Sequence, residues 1–386
     1  MIDLYYPLRS LREGNWFKLI CGASFQSLPA VRSLTLAYAL AGADCIDVAA
    51  DPAVVTAARD ALEAVGRLTE VAQRRGYRIQ AIPWLMVSLN DGEDPHFRKA
   101  AFDPALCPQD CSRPCERICP AQAIVFNRPT DSFSGVIDRH CYGCGRCLPV
   151  CPIQQIVTRS YVSTPGAVAP LVLSGVDAVE IHTQVGRFDD FKRLWEAIVP
   201  FLPDLKLIAI SCPDGEALID YLWALHNLIS PLPCALVWQT DGRPMSGDIG
   251  DGTTRAAVKL GQKVLAANLP GYVQLAGGTN SHTVLKLRTL GLLNDRLNDS
   301  MNVQMNDREH PSRYIAGIAY GSYARVLLAP VLEKLEQIEA NSSLLLHPSS
   351  LYLEDAPDLL WQAVRLADLL VSQLKVSMKL KQTIPK

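Results

Sequence analysis

The chain has 386 residues, 49% hydrophobic and 20% charged, with a formal net charge of −2. This is globular composition with enough apolar residues for a large core; length alone predicts two or three domains, although a barrel of about 250 residues counts as one. The near-neutral charge, with no Lys/Arg-rich block, excludes general nucleic-acid binding. No apolar run approaches the roughly 18 residues of a membrane span. The opening "MIDLYYPLRSLREGNWF" lacks the basic segment and long apolar run of a secretory signal. The expectation is a soluble cytoplasmic protein.

Short apolar runs alternate with helical stretches from the start. "FKLICG" (17–22) reads as a buried strand, followed by the helical "VRSLTLAYALAGA". "DCIDVAA" (44–50) is a second strand, and "PAVVTAARDALEAVGRLTEVAQRRG" a helix with a proline start and a glycine stop. "IQAIPWLMV" (79–87) is a third strand, after which comes the polar "NDGEDPH".

The pattern then breaks. Eight of the twelve cysteines lie in two runs, "CPQDCSRPCERICPAQAI" and "CYGCGRCLPVCPIQQI". In a reducing compartment, clustered cysteines are metal ligands more often than disulfides. Cys141, Cys144, Cys147 and Cys151, followed by Pro152, read C-x2-C-x2-C-x3-C-P. This is the bacterial ferredoxin run, in which three cysteines hold one iron–sulfur cluster and the fourth reaches to another. Gly143 and Gly145 suit the tight loop around a cluster, and Pro152 marks where the chain leaves it. Cys107, Cys111, Cys115 and Cys119, followed by Pro120, have the wider spacing C-x3-C-x3-C-x3-C-P. The shared tails "CPAQAI" and "CPIQQI" make the runs an internal repeat, the signature of a two-cluster module.

By that pattern cluster one takes Cys107, Cys111, Cys115 and Cys151, and cluster two takes Cys141, Cys144, Cys147 and Cys119. Four-iron, four-sulfur clusters are expected at both; the widened first run leaves a three-iron cluster as the alternative there, since it requires three thiolates. Structural zinc is the other reading, but such sites use paired C-x2-C units with a longer spacer. Arg113, Arg117, Arg139 and Arg146 lie in or beside the runs. They either raise cluster potentials by their charge or are simply solvated.

After the module the alternation resumes, with strands at "AVEIHT" (178–183), "LKLIAIS" (205–211), "CALVWQTD" (234–241), "YVQLAGG" (272–278) and "YIAGIAYGS" (314–322). Helical stretches separate them, and a helix from about Ala324 to Ala340 follows the last. Eight βα units predict a closed TIM-like (β/α)8 barrel with the two-cluster, ferredoxin-like domain inserted after strand 3. An open doubly wound sheet would bring a Gly-rich fingerprint after its first strand, which "CGASFQS" lacks. The expected division is 1–91 and 165–340 for the barrel, 92–164 for the insertion and 341–386 for a C-terminal amphipathic helix and tail. Leu359, Leu360, Val364, Ala367, Leu370, Val371 and Leu374 form the helix's apolar stripe. The polar stretch 293–312 is expected to be a loop.

Loops after strands lie on the C-terminal face, where barrel enzymes keep their active sites. Gly277, Gly278 and Thr279 follow strand 7, and Gly321 and Ser322 follow strand 8, the usual phosphate positions. FMN or another phosphate ligand is one reading; the other is that tight βα turns need glycine whatever binds. Lys18, Asp47, His182, Cys212 and Asp241 are the polar residues near strand ends, and no pair of them specifies an acid–base mechanism. Cys21, Cys45 and Cys234 read as packing residues. Cys212, in "SCPDG", has a second reading as an exposed thiol.

With the double run set among βα units, the chain resembles the cyanobacterial light-dependent period (LdpA) family. The residues that carry the likeness are the two cysteine runs, "NWFKLICGASFQSLPAVRSLTLAYALAGADCIDVAADPAVV" and "LVWQTDGRPMSGDIGDGTTRAAVKLG". The opening is also similar to the Ycf23 family of plastids and cyanobacteria, which suggests a barrel. The resemblance implies an iron–sulfur protein that reports cellular redox state to the circadian clock, with CikA, KaiA and SasA as partners. The leading expectation is therefore a non-enzymatic redox sensor. The rivals are an iron–sulfur oxidoreductase, fed with electrons over the barrel mouth, and a protein whose clusters are purely structural.

Overall fold

The computed structural model describes residues 6–21, 28–92, 98–119, 122–138, 140–141, 147–160, 169–170, 172–242, 253–294, 314–342 and 351–375. Eight parallel strands close into a barrel: β1 (Trp16–Ile20), β2 (Cys45–Ala49), β3 (Trp84–Asn90), β8 (Ala178–His182), β9 (Leu207–Pro213), β10 (Ala235–Asp241), β11 (Tyr272–Ala276) and β12 (Ile315–Tyr320). Each pairs with its neighbours in chain order, and β1 closes the ring against β12 with Lys18 beside Ala319. The expected barrel is the observed one, with the cysteine module following the third strand.

One boundary moves. The run 79–87 starts its strand at Trp84 and continues to Asn90. Pro83 has no N–H to offer a ladder; the first such donor is Trp84, which bonds the carbonyl of Asp44.

The long helix Pro52–Arg74 illustrates how local sequence sets an element. Asp51 caps it, accepting from Ala53 N at 2.9 Å, and proline stands in the first turn, where a missing N–H costs nothing. Ala58, Ala61, Ala64, Val65 and Ala72 form its buried face. This helix and its counterparts cover the outside of the barrel in one continuous apolar layer.

The barrel interior is filled differently toward its two ends. Trp16, Cys45, Trp84, Met86, Ala178, Leu207, Ala209, Val237 and Ala316 pack the lower part. Trp16 meets Trp84 edge to face, with ring centroids 5.8 Å apart. Gly317 is required here: a Cβ at that position would lie 2.5 Å from the Trp16 ring. Helix Tyr6–Glu13 adds Leu11 to this layer from below.

The C-terminal helix Pro357–Lys375 packs on helices Leu28–Leu40 and Ser322–Ser342. Leu360, Val364, Ala367, Leu370, Val371 and Leu374 of the expected stripe are buried, and Leu359 is partly so. The helix ends on a buried ion pair, Lys375 Nζ to Asp44 at 2.6 Å. Asp44 also accepts from Phe17 N at 2.7 Å and Ser10 Oγ at 3.0 Å.

Between β3 and β8 the chain forms two small antiparallel ladders. β4 (Arg98–Ala101) pairs with β7 (Val157–Ser160), and β5 (Ile124–Val125) pairs with β6 (Gly135–Val136). Two short helices, Pro114–Ile118 and Cys147–Val150, complete this region. Most of the expected 293–312 loop lies outside the described residues.

Candidate functional site

The repeat seen in the cysteine runs is also a repeat of backbone shape. Cys119-Pro-Ala-Gln122 and Cys151-Pro-Ile-Gln154 both end on a glutamine in the left-handed region, at φ of 48° and 52°. In each, the glutamine N–H returns to the cysteine carbonyl, at 3.1 Å and 3.0 Å. Such turns expose successive N–H groups on one side, a concave arrangement that suits anionic sulfur. The following amides point at the thiols. Ala123 N donates to Cys119 Sγ at 3.2 Å. Burial raises the Cys151 pKa, but the N–H groups of residues 153–156 outweigh it and hold the thiol below its ordinary value.

Of the cluster-one set, Cys107 feels the charges of Cys111 and Cys151, after burial, as causes of a raised pKa. Cys115, the most buried of the four, is likewise raised by burial and then by Cys151 and Cys107. Cys107, Cys111, Cys115 and Cys151 thus share one electrostatic neighbourhood, although 44 positions separate the first from the last. Of the cluster-two set, Cys119, Cys141 and Cys147 pack around one small core with Ala100, Ile124 and Ile156, a core that Cys115 and Cys151 of the other set share. Ala100 N donates to Cys141 Sγ at 3.5 Å. Cys144, with Gly143, Gly145, Arg139 and Arg146, lies outside the described residues.

All described cysteines are free thiols. Among the described residues, no three His, Cys, Asp or Glu side chains converge as a single-ion site. Thiols with amides aimed at their sulfurs are the donor chemistry that iron–sulfur clusters use. Of the arginines, Arg113 lies over the Phe126 ring at 4.4 Å, while Arg117 is exposed.

The barrel holds a second polar centre. Lys18, on β1, is fully buried with its Nζ 2.9 Å from Asp47 Oδ2, 2.9 Å from Gln239 Oε1 and bonded to Glu180. Ser88 Oγ donates to Asp47 Oδ1 at 2.6 Å, and Gln274 Nε2 to Gln239 Oε1 at 2.6 Å. Burial disfavours the Lys18 charge, but Asp47 and Glu180 overcome it and keep the ammonium protonated. Burial pushes Asp47 up to about 6 against the pull of Lys18. Glu180 is buried as deeply, yet Lys18 and His182 hold it below its usual value. His182, 37% exposed at the end of β8, stands above this layer with Nε2 3.1 Å from Glu180 Oε1.

Of the polar residues near strand ends, Lys18 pairs directly with Asp47, and His182 joins them only through Glu180. Glu180, Gln239, Gln274, Ser88 and Ser211 were not singled out by the sequence. The usable signal was parity: Glu180 and His182 are two apart on one strand and face the same side. Asp241 ends β10 in the register of Gln239. Cys212 is a correction to the exposed-thiol reading: it is buried in the layer between strands and helices, and burial pushes its pKa up to about 12. Cys21 and Cys45 are fully buried, and Cys234 is partly buried against the core.

At the expected phosphate turns, Gly277 and Gly278 have φ of 61° and 95°. A Cβ on Gly278 would lie 2.9 Å from the Thr253 carbonyl oxygen, so chain packing alone requires that glycine. Thr279 Oγ1 donates to Ala319 O at 2.6 Å. Ser322 Oγ accepts from Arg325 at 3.1 Å, and Gly321 lies beside that guanidinium.

Two family models match this chain: the LdpA Fe-S cluster-binding domain over residues 107–162, and the light dependent period A C-terminal domain over residues 171–373. Similarity to solved structures is remote. Tryptophan synthase from M. tuberculosis aligns over 96% of this chain and 100% of that one at 12% identity, TM-score 0.38. Fructose-bisphosphate aldolase from Campylobacter jejuni aligns over 96% and 91% at 7% identity, TM-score 0.33. The curated light dependent period A of Synechococcus elongatus is 49% identical over 371 residues, 96% of this chain and 94% of that protein. With an iron–sulfur-binding segment set into a barrel and near-complete coverage of that relative, the chain belongs to the light-dependent period A (LdpA) family.

Proposed function

We propose that the protein is a redox sensor carrying two four-iron clusters, one on Cys107, Cys111, Cys115 and Cys151, the other on Cys119, Cys141, Cys144 and Cys147. The observation that carries this reading is the pair of Cys-Pro-x-Gln turns, each aiming backbone amides at its cysteine. When bound, such clusters supply one-electron redox chemistry at potentials set by charge and by hydrogen bonds to sulfur. The chain's part is to hold the thiolates, direct N–H groups at them and present a surface whose charge follows the electron supply. Most of these cysteines are only partly buried, which suits a sensor exposed to cellular reductants. The partners proposed, from the resemblance, are the clock components CikA, KaiA and SasA, met in the cytoplasm.

Anaerobic purification with iron and sulfide analysis, then pull-down of CikA, KaiA and SasA by oxidised and reduced protein, tests the reading. Eight iron atoms per chain and a change in partner recovery on reduction are expected. Clusters present with identical recovery in both states would refute the sensing role.

The barrel centre favours a second reading, an oxidoreductase working at the mouth. A fully buried Lys18–Glu180 pair beneath a half-exposed histidine is more than a barrel needs for packing. In that case Gly277, Gly278, Thr279, Gly321 and Ser322 hold the phosphate of FMN. Stoichiometric flavin released on denaturing the anaerobic protein would support it, and its absence would remove it.

A further inference from the structure

The two Cys-Pro turns match in backbone shape but differ in one side chain. Four residues after its cysteine, the first turn has Ala123 and the second has Gln155. Both use their backbone alike: Ala123 N donates to Cys119 Sγ at 3.2 Å, and the Gln155 N–H bonds to Cys151. The alanine ends there in a methyl group. The Gln155 side chain goes on to the other run. Its Nε2 donates to Asp103 O at 2.6 Å, and its Oε1 accepts from the Cys107 thiol at 3.8 Å. One residue thus touches the first and the last cysteine of the cluster-one set.

Little else holds Cys107. It follows a single helical turn, Pro104–Leu106, in which no residue is buried. The turn's own bonds are local: Asp103 Oδ1 accepts from Ala105 N at 2.9 Å, and Cys107 N returns to Pro104 O at 3.2 Å. Among the described residues, both hydrogen bonds that tie 103–107 to another segment come from the Gln155 side chain. The wider gap before Cys111 leaves Cys107 on a longer tether than the second run allows, so contacts rather than loop length must fix its place. As a thiolate on iron, Cys107 has no proton to give, and the amide's N–H groups are then the partners that suit its sulfur.

We propose that Gln155 is the positioning residue of cluster one, holding Cys107 to Cys151 by its side chain, a role that Ala123 cannot fill in the matching turn. This rests on the reading that these cysteines hold two clusters. Gln155 also stands two residues before Val157, which pairs with Ala101 in the β4–β7 ladder. The same side chain therefore fastens cluster one to the top of the stem through Asp103.

The test uses the anaerobic full-length protein as wild type, C107S, Q155M and Q155E. Iron and sulfide are measured first; wild-type protein without two clusters' worth refutes the cluster reading, and this proposal with it. With clusters present, C107S removes one electron paramagnetic resonance signal of the reduced protein and so assigns it to cluster one. Q155M keeps the length and bulk of the side chain without its hydrogen bonds. Its cluster-one signal is expected to decay about fivefold faster than in wild type under a chelator, or to be missing, while the other signal decays at the wild-type rate. Q155E sets a negative charge beside Cys107. In a redox titration it should lower the midpoint of the cluster-one signal by about 59 mV, tenfold for a one-electron couple, and leave the other in place. Wild-type decay in Q155M would mean that packing alone is at work and would overturn the proposal. Equal loss of both signals in Q155M would overturn it too, as would a Q155E shift that is absent or shared by both signals.

Discussion

The barrel encloses an apolar layer running from Phe17 to Leu374, with a second cluster inside the ring of strands. Among the described residues, the cysteine module's main buried cluster is Ala100, Cys115, Ile124, Cys147 and Ile156, and two of those five are proposed ligands. A region with so little apolar burial does not fold on hydrophobic free energy alone; metal or disulfides make up the difference in small domains. The described module cysteines are all free thiols. The contrast teaches that the barrel's stability and the module's are of different kinds.

The largest expected effect is on the module. Anaerobic removal of iron by a chelator should abolish hydrogen-exchange protection in both module ladders while the barrel strands keep theirs. Equal loss in both regions would break the comparison. Next comes the barrel's own weak point. Lys18→Met leaves Asp47 and Glu180 buried without their cation and should cost about 3–5 kcal/mol in denaturant unfolding, with iron content unchanged. A third test uses pH. Asp47 titrates at about 6 in the fold against 3.8 when unfolded. A raised folded-state pKa means its stabilising share is complete below pH 3.8 and is lost as pH rises through 6. Relative to Asp47→Asn, the wild-type barrel should lose stability as pH rises between those limits. Fluorescence of the buried Trp16, Trp84 and Trp238 reports it.

Smaller effects sharpen the same contrast. Gly317→Ala should cost the barrel about 1–3 kcal/mol by forcing a methyl group onto Trp16, read as a lower midpoint for the barrel transition alone. Leu106→Ser, at a position 65% exposed beside Cys107, should change stability by less than about 0.5 kcal/mol and leave the iron content intact.

The barrel was legible because parallel strands buried on both faces read as short apolar runs, and each was followed by a helical stretch. Its largest boundary shift came from reading Ile79 to Ile82 as strand although Pro83 interrupts the run. The cysteine spacing pointed to the module, but its geometry was hidden: nothing in "CPAQAI" or "CPIQQI" announces a left-handed glutamine. The polar centre was half legible. Lys18 and Asp47 stood out as charges in apolar strands, whereas Glu180, Gln239 and Gln274 did not, because each meets its partners only when distant strands close the ring. The family comparison adds membership of the light-dependent period A family, which no spacing or burial carries.

The ladder between β4 and β7 has a consequence for how this chain was assembled. Arg98 is paired with Ser160, so the module's entry and exit stand side by side, about 5 Å apart as in any antiparallel pair. A segment that leaves and returns at one point asks nothing of the barrel's spacing: to the strands on either side it is equivalent to a tight hairpin, whatever its length. The cysteine region is thus a pendant on a two-stranded stem. A shortcut from β3 to the helical turn before β8 should leave a closed ring, and the stem itself is the natural point at which to graft the pendant onto another scaffold.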